Sequence, residues 1–181
     1  MKNALLIVTV LITAIMSTAC INNFAVQELN NKAQEYINKG DYESAIGRLE
    51  ASIDIDPTIY ETHYNLGIAA LSAEKFDKAI DAFKVAADLK PSNADIYYSL
   101  AVAQYNYAEK LIEDNNDAEE NKLDEEQLSK QTFTLYKDAI QSLKNCLGCK
   151  DISEETKSAA EAQLNSILLK IKDNSEDSKE G

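Results

Sequence analysis

The sequence predicts an all-α chain assembled from a repeated pair of helices, and three observations carry that prediction. The stretch "GDYESAIGRLEASIDIDP" at residues 40–57 is echoed 34 residues later by "EKFDKAIDAFKVAADLKP" at residues 74–91. With 45% hydrophobic residues, five Gly and two Pro in 181, the chain is too apolar for disorder and too poor in turn residues for an all-β fold. Both prolines, Pro57 and Pro91, close the echoed stretches, where a residue unable to continue a helix forces the next element to begin.

The first element is not part of the repeat. "MKNALLIVTVLITAIMSTAC" sets Lys2 before an almost unbroken apolar run from Ala4 to Met16, then small residues and Cys20. A charged start, a short apolar core and a small-residue exit form the layout of a secretory signal peptide. The run falls short of the roughly 20 residues that span a bilayer. The exit "STAC" resembles a bacterial lipoprotein box, although Ser17 stands where that family prefers an aliphatic residue. The resemblance implies a signal peptide over 1–19, a lipidated Cys20 and a tether over 20–25, with the exported chain held at a membrane by its N-terminal lipid. Ile21 is not the Asp that resembles an inner-membrane retention signal, so an outer-membrane lipoprotein facing the periplasm or the cell surface is implied. A plain cleaved signal peptide and an uncleaved anchor are the alternatives, and each exports the chain.

Counting 34 residues gives unit 1 over 26–59 and unit 2 over 60–93, with unit 3 starting at Ala94. The eighth place of successive units holds Ala33, Gly67 and Ala101, and the twentieth holds Ala45 and Ala79. The turn between helices reads Gly40-Asp41-Tyr42, then Glu74-Lys75-Phe76. Small residues at those two places let paired helices approach closely, and the aromatic after the turn fills the hollow beside them. Gly40 suits the positive-φ conformation that ends many helices. The pattern resembles the tetratricopeptide repeat, a helix–turn–helix unit of this length. What the resemblance implies is a right-handed superhelix of about three units, because one unit alone leaves its apolar face uncovered.

Unit 3, assigned to 94–152, departs from the pattern. Its aromatic-then-alanine turn reappears late, as Tyr136 and Ala139, with Leu143 and Cys146 following. Gln104 sits where the family prefers Tyr, and Ser92 with Asp95 reads as a cap pair for the first helix. The added material, 108–134, centres on "EDNNDAEENKLDEE", with eight acidic residues against Lys122 alone. Two readings stand: both helices continue past the solenoid around a charged loop, zipped by Leu123, Leu128 and Leu135, or the insertion is a disordered acidic loop. Residues 153–172 resemble the extra helix that covers the last apolar face of such arrays, with Ala160, Leu164, Ile167, Leu168 and Ile171 on one side. Glu154 and Glu155 sit at the start its dipole favours for acids, and Lys170 and Lys172 at the end it favours for bases. The polar tail 173–181 is expected to be disordered.

Charge and composition then limit the function. A formal charge of −13 opposes nucleic acid and anionic headgroups as partners. One histidine excludes a multi-His metal site or a His-rich catalytic centre, and His63 reads as a packing residue. "DNNDAE" has Ala118 in place of a ligand and Glu119 in place of the glycine of a calcium loop. Cys146 and Cys149 form a C-x-x-C at the end of a helix, where the dipole disfavours a thiolate. A local disulfide staple, free packing thiols and thiol chemistry are its three readings. No cofactor and no catalytic residue is expected.

There remains the inner wall. In tetratricopeptide repeats the resemblance places groove-lining residues at the second, fifth, ninth, twelfth and thirteenth places of each first helix. Carried over, Asn30, Gln34, Tyr64, Ile68, Leu71, Tyr98, Val102 and Tyr105 are the expected groove-binding residues. Tyrosine buries a large area at little rotamer cost and keeps a hydroxyl for hydrogen bonds. No Lys or Arg occupies these places. The function implied is a non-enzymatic interaction or scaffold module holding a partner protein's peptide or helix. The alternatives are a thiol-active accessory using Cys146 and Cys149, or a self-associating envelope protein.

Overall fold

The computed structural model describes residues 22–118 and 122–177. The expectations on the signal peptide 1–19, on Cys20 and on the end of the tail lie outside these residues. Among the described residues there are seven α-helices and no strand: α1 (residues 22–38), α2 (Tyr42–Ile55), α3 (Tyr60–Ser72), α4 (Phe76–Leu89), α5 (Ala94–Asp117), α6 (Glu125–Leu147) and α7 (Glu154–Asp177). From α2 onward each helix packs against the next, the one-dimensional stacking of a repeat array. The expected tether 20–25 is already helical from residue 22.

The repeated residues do what their sizes require. Ala33, Ala45, Ala79, Ala101 and Ala139 are all at most 1% exposed. Gly67 is the tightest of these places: a Cβ built there would lie 2.5 Å from the ring of Phe83, which is fully buried. Helix–helix distance in unit 2 is therefore set by the absence of a single methyl group. The turns between helices repeat too. Gly40 N donates to Ile37 O and Asp41 N to Tyr36 O, both at 3.0 Å; Glu74 N donates to Leu71 O at 3.1 Å and Lys75 N to Ala70 O at 2.8 Å. Gly40 takes φ +75° and its counterpart Glu74 φ +55°. The second value puts an ordinary L-residue in the left-handed region, at a cost of about 1 kcal/mol.

The starts of α2, α5, α6 and α7 are capped by short polar side chains, each relieving a backbone donor that the helix leaves unpaired, whereas α3 and α4 follow Ile59 and Lys75 without a side-chain cap. Asp41 Oδ1 accepts from Ser44 N at 3.2 Å, Asp124 from Gln127 N at 2.7 Å, and Ser153 Oγ from Thr156 N at 3.0 Å. For α5 the cap is Asn93, accepting from Asp95 N at 3.0 Å, and not the expected Ser92. Ser92 lies in the turn, one residue too early to reach the first orphan donors. His63 is buried, and its Nε2 donates to Pro57 O at 2.8 Å.

Unit 3 is a stretched version of unit 2. In register, Asn106 corresponds to Ser72 and Tyr136 to Phe76, yet α5 runs on to Asp117 and α6 begins already at Glu125. Each arm thus gains eleven residues, about 16 Å of helix, and a hairpin projects past the end of unit 2. Of the two readings of the insertion, the described residues take the helical one. Near its tip Asn115 Oδ1 accepts from Leu123 N at 2.7 Å. Gln104, the departure from the aromatic pattern, is buried, and its amide oxygen accepts from Ser142 Oγ at 2.8 Å.

The last helix corrects three expectations. α7 extends to Asp177, five residues past the expected end at Lys172 and into the stretch 173–181 expected to be disordered. Leu168 does not join the buried face: it is 48% exposed, while Ala160 and Ile167 are fully buried and Leu164 and Ile171 pack beside them. One residue along from Ile167 is a 100° rotation, which carries Leu168 off the covered stripe. Lys170 is not a terminal lysine answering the helix dipole but pairs with Glu109 on α5.

Candidate functional site

The inner wall is built from α3 and α5, flanked by α1 and α7. Two residue pairs fix how α7 joins it: Thr156 Oγ1 donates to Asp95 Oδ1 at 2.8 Å, and Lys170 Nζ donates to both Glu109 oxygens at 2.5 and 2.6 Å. Both pairs are 61 residues apart in sequence. A constant offset means that α7 runs parallel to α5 in fixed register, as the first helix of a fourth unit. No second helix of that unit lies among the described residues.

The expected groove residues divide into three groups. Asn30 is a structural clip: its Nδ2 reaches Val26 O at 3.0 Å, Ser52 Oγ at 2.8 Å and Thr62 Oγ1 at 3.1 Å, tying α1 to α2 and α3. Tyr64, Tyr98 and Tyr105 are half-buried between helices. The Tyr64 ring tilts against Phe83 at 5.7 Å and its hydroxyl meets Ser99 Oγ at 3.4 Å. Tyr98 and Tyr105 pack on the cluster that α7 completes, and Tyr105 lies 5.9 Å from the ring of Tyr136. Gln34, Ile68, Leu71 and Val102 remain on the open wall: Gln34 is exposed and bonded only to Asn38, and the other three are half-exposed.

At the C-terminal end of this wall a cleft of about 510 Å³ opens between α3 and α5, lined by Leu71, Ser72, Asn106 and Glu109 among others. Its inner edge is charged and hydrogen-bonded. Burial pushes the Glu109 carboxyl up, but hydrogen bonds from Lys170 and Tyr136 and the Lys170 charge outweigh it and hold the group below the usual carboxylate range. Desolvation lowers Lys170, and Glu109 more than offsets this, raising it. Lys170 also lies over the rings of Tyr105 and Tyr136, at 5.6 and 6.0 Å. Sequence reasoning missed this triad of Glu109, Tyr136 and Lys170, because α7 carries no repeat signature from which the 61-residue offset could be counted.

The C-x-x-C sits in a packed environment that disfavours the thiolate. Of its three readings, the structure has the thiols unjoined: Cys146 and Cys149 are both free. Cys146 is wholly buried in the core of α5, α6 and α7, and Cys149 Sγ points back to Asn145 O at 3.4 Å. Burial, with Cys149 and Asp95 adding, pushes the Cys146 thiol up to about 11, and burial raises Cys149 as well. Thiols kept protonated are poor nucleophiles. No group of three or more His, Cys, Asp or Glu among the described residues is placed to hold a metal ion, and no described helix is long and apolar enough to cross a membrane.

Comparison with known proteins agrees with the geometry. The Tetratricopeptide repeat family matches residues 30–94 and again 64–106. Among solved structures, the TPR2B domain of yeast Sti1 in its pHsp70 complex is similar, at 17% identity and TM-score 0.61, over 81% of this chain and 98% of that one. The first TPR of Spaghetti (RPAP3), bound to HSP90 peptide SRMEEVD, is similar at 18% identity and TM-score 0.59, over 81% and 92%. So is the Yersinia enterocolitica type III secretion chaperone SycD with a peptide of the translocator YopD, at 16% and 0.59, over 80% and 92%. No curated protein matches by sequence. The echoed sequence, the small residues at fixed places and the stacked helix pairs have one reading: this chain has the all-α fold of a TPR superhelix, its third unit lengthened by an acidic insertion and α7 packed on its last helix pair.

Proposed function

We propose that the protein is a non-enzymatic interaction module that holds a partner protein's peptide or helix along the inner wall. The observation that carries this reading is the open strip of Ile68, Leu71 and Val102 beside the cleft at Ser72 and Asn106. Half-exposed aliphatic side chains on a rigid helical wall give area for anchors, and the polar edge gives orientation. The charge of that edge selects the partner. Glu61, Asp95, Glu109 and Glu113 border the wall, and Lys170 is already paired. An acidic peptide such as the one in the Spaghetti complex would meet like charge here, so the fitting partner has aliphatic or aromatic anchors with Lys or Arg.

The same proposal places the module at a membrane, on the lipoprotein-like sequence ending at Cys20, as an exported and outer-membrane-anchored chain. One experiment in intact cells tests both parts. A photo-crosslinking residue at Ser72 or Asn106 should label one polypeptide, and the same residue at Lys84 on the outer side should not; equal labelling from both faces removes the groove. In those cells radiolabelled palmitate should enter the wild type and not Cys20→Ser, and label in neither removes the anchor.

A further inference from the structure

A second surface stands apart from the groove, on the projecting hairpin. Tyr107 and Leu135 pack against the core of units 1 and 2, and from them an apolar strip continues outward through Leu111 and Leu123. These four side chains line a cleft of about 690 Å³ whose lining belongs wholly to the two hairpin arms. In the body of a solenoid the corresponding side of a unit is covered by its predecessor. Here unit 2 has already ended: Phe76, at the start of α4, stacks on Tyr107 with ring centres 5.6 Å apart, and the chain of unit 2 goes no higher. The strip is an overhang. It is also held in shape, by the Asn115–Leu123 hydrogen bond at its outer end and by Tyr107 Oη donating to Asp77 at its base.

The charge around the overhang says what would cover it. Beyond the strip the hairpin exposes Glu113, Asp114, Asp117, Asp124, Glu125 and Glu126. Opposing these six carboxylates are Lys122, Lys110 and Lys130: Lys130 lines the cleft on the α6 side, and Lys110 is paired with Glu113 at 3.1 Å and Asp114 at 3.2 Å. A second copy of this chain would bring another acidic tip to an acidic tip. We propose that the overhang docks a cationic amphipathic segment of a partner protein, with aliphatic anchors on the Tyr107–Leu111–Leu123–Leu135 strip and Lys or Arg directed toward the tip. Apolar burial at the centre supplies affinity, and the exposed charges supply orientation and association rate. The apolar strip shares no lining residue with the groove cleft, although Glu113 borders both.

The test uses the full chain in detergent with a fluorescent 18-residue amphipathic Leu/Lys peptide, read by anisotropy at low salt. Leu111→Asp with Leu123→Asp should weaken binding at least about tenfold. Neutralising the tip (Asp124→Asn, Glu125→Gln, Glu126→Gln) should weaken it a few-fold and flatten its salt dependence. Ser72→Arg with Asn106→Arg, in the groove, should change it less than about twofold, and a Leu/Glu peptide of the same pattern should not bind. Unchanged binding in the neutralised tip overturns the proposal whether or not the leucine variant stays folded by circular dichroism. So does loss of binding in the groove variant. Sedimentation showing a wild-type dimer that Leu111→Asp dissolves would assign the strip to a second copy and overturn it as well.

Discussion

Units 2 and 3 are built on one plan and held by different forces. In unit 2, α3 and α4 meet through apolar fit: Gly67 admits the Phe83 ring, Ala79 and Ala70 are fully buried, and the Tyr64 ring tilts onto Phe83. In unit 3 the helices are nearly twice as long, and buried polar partners share the load. Gln104 takes a hydrogen bond from Ser142, and Tyr136 donates to Glu109 at 2.5 Å beneath Lys170. The difference teaches where each unit is fragile. A packed pair fails by volume, and a hydrogen-bonded pair fails by loss of a partner or of a charge.

The largest effect should come from volume. Gly67→Val places methyl groups inside the Phe83 ring position, and with that ring fully buried the helices must separate. A loss of about 3 kcal/mol or more is expected, read as a fall in the denaturant midpoint. Ala101→Gly, at the matching place of unit 3, should cost only about 1 kcal/mol, the propensity difference in a helix interior. Equal losses at the two positions would erase the contrast between the units.

Charge should give the next largest effect, and only in unit 3. Because the folded Glu109 carboxyl lies below its ordinary value near 4.5, its contribution is complete above that value and is lost as the pH falls through the folded one. Wild type should therefore lose stability on acidification below about pH 5, and Lys170→Met should be less stable at pH 7 by about 1 kcal/mol with a shallower acid slope. Thermal melts from pH 7 to pH 3 measure both, and parallel curves would show that the ion pair contributes nothing.

The smallest effect belongs to the turn that units 1 and 2 share. Glu74 holds φ +55° where unit 1 has Gly40, so Glu74→Gly should stabilise by roughly 0.5–1 kcal/mol despite the flexibility it adds to the unfolded chain. An unchanged or lower melting temperature would mean that the left-handed conformation is not strained there.

How much of this was legible in the sequence follows the same division. Places where sterics allow one size of residue were readable: Ala33, Ala45, Gly67, Ala79 and Ala101 all fall at close helix contacts, and Gly40 at the left-handed turn. The groove was readable as a set of positions but not as a set of contacts. Tyr64, Tyr98 and Tyr105 occupy groove places, yet an aromatic ring long enough to reach a partner is also long enough to reach Phe83 or the α7 cluster, and position alone does not choose between them. Asn30 carries a polar group that finds Ser52 and Thr62, 22 and 32 residues away. Lys170 looked like a helix-end charge because α7 has no repeat signature from which its partner could be counted.

The insertion enters at the bend inside unit 3, and the stacking on either side of it does not register its presence: Asp95–Thr156 and Glu109–Lys170 keep one spacing along both helices. Such a bend works as a port. Whole turns added to or removed from both arms there would change the reach of the molecule without rewinding the spool beneath, so the span from inner wall to acidic tip becomes a length that heredity or an engineer is at liberty to set.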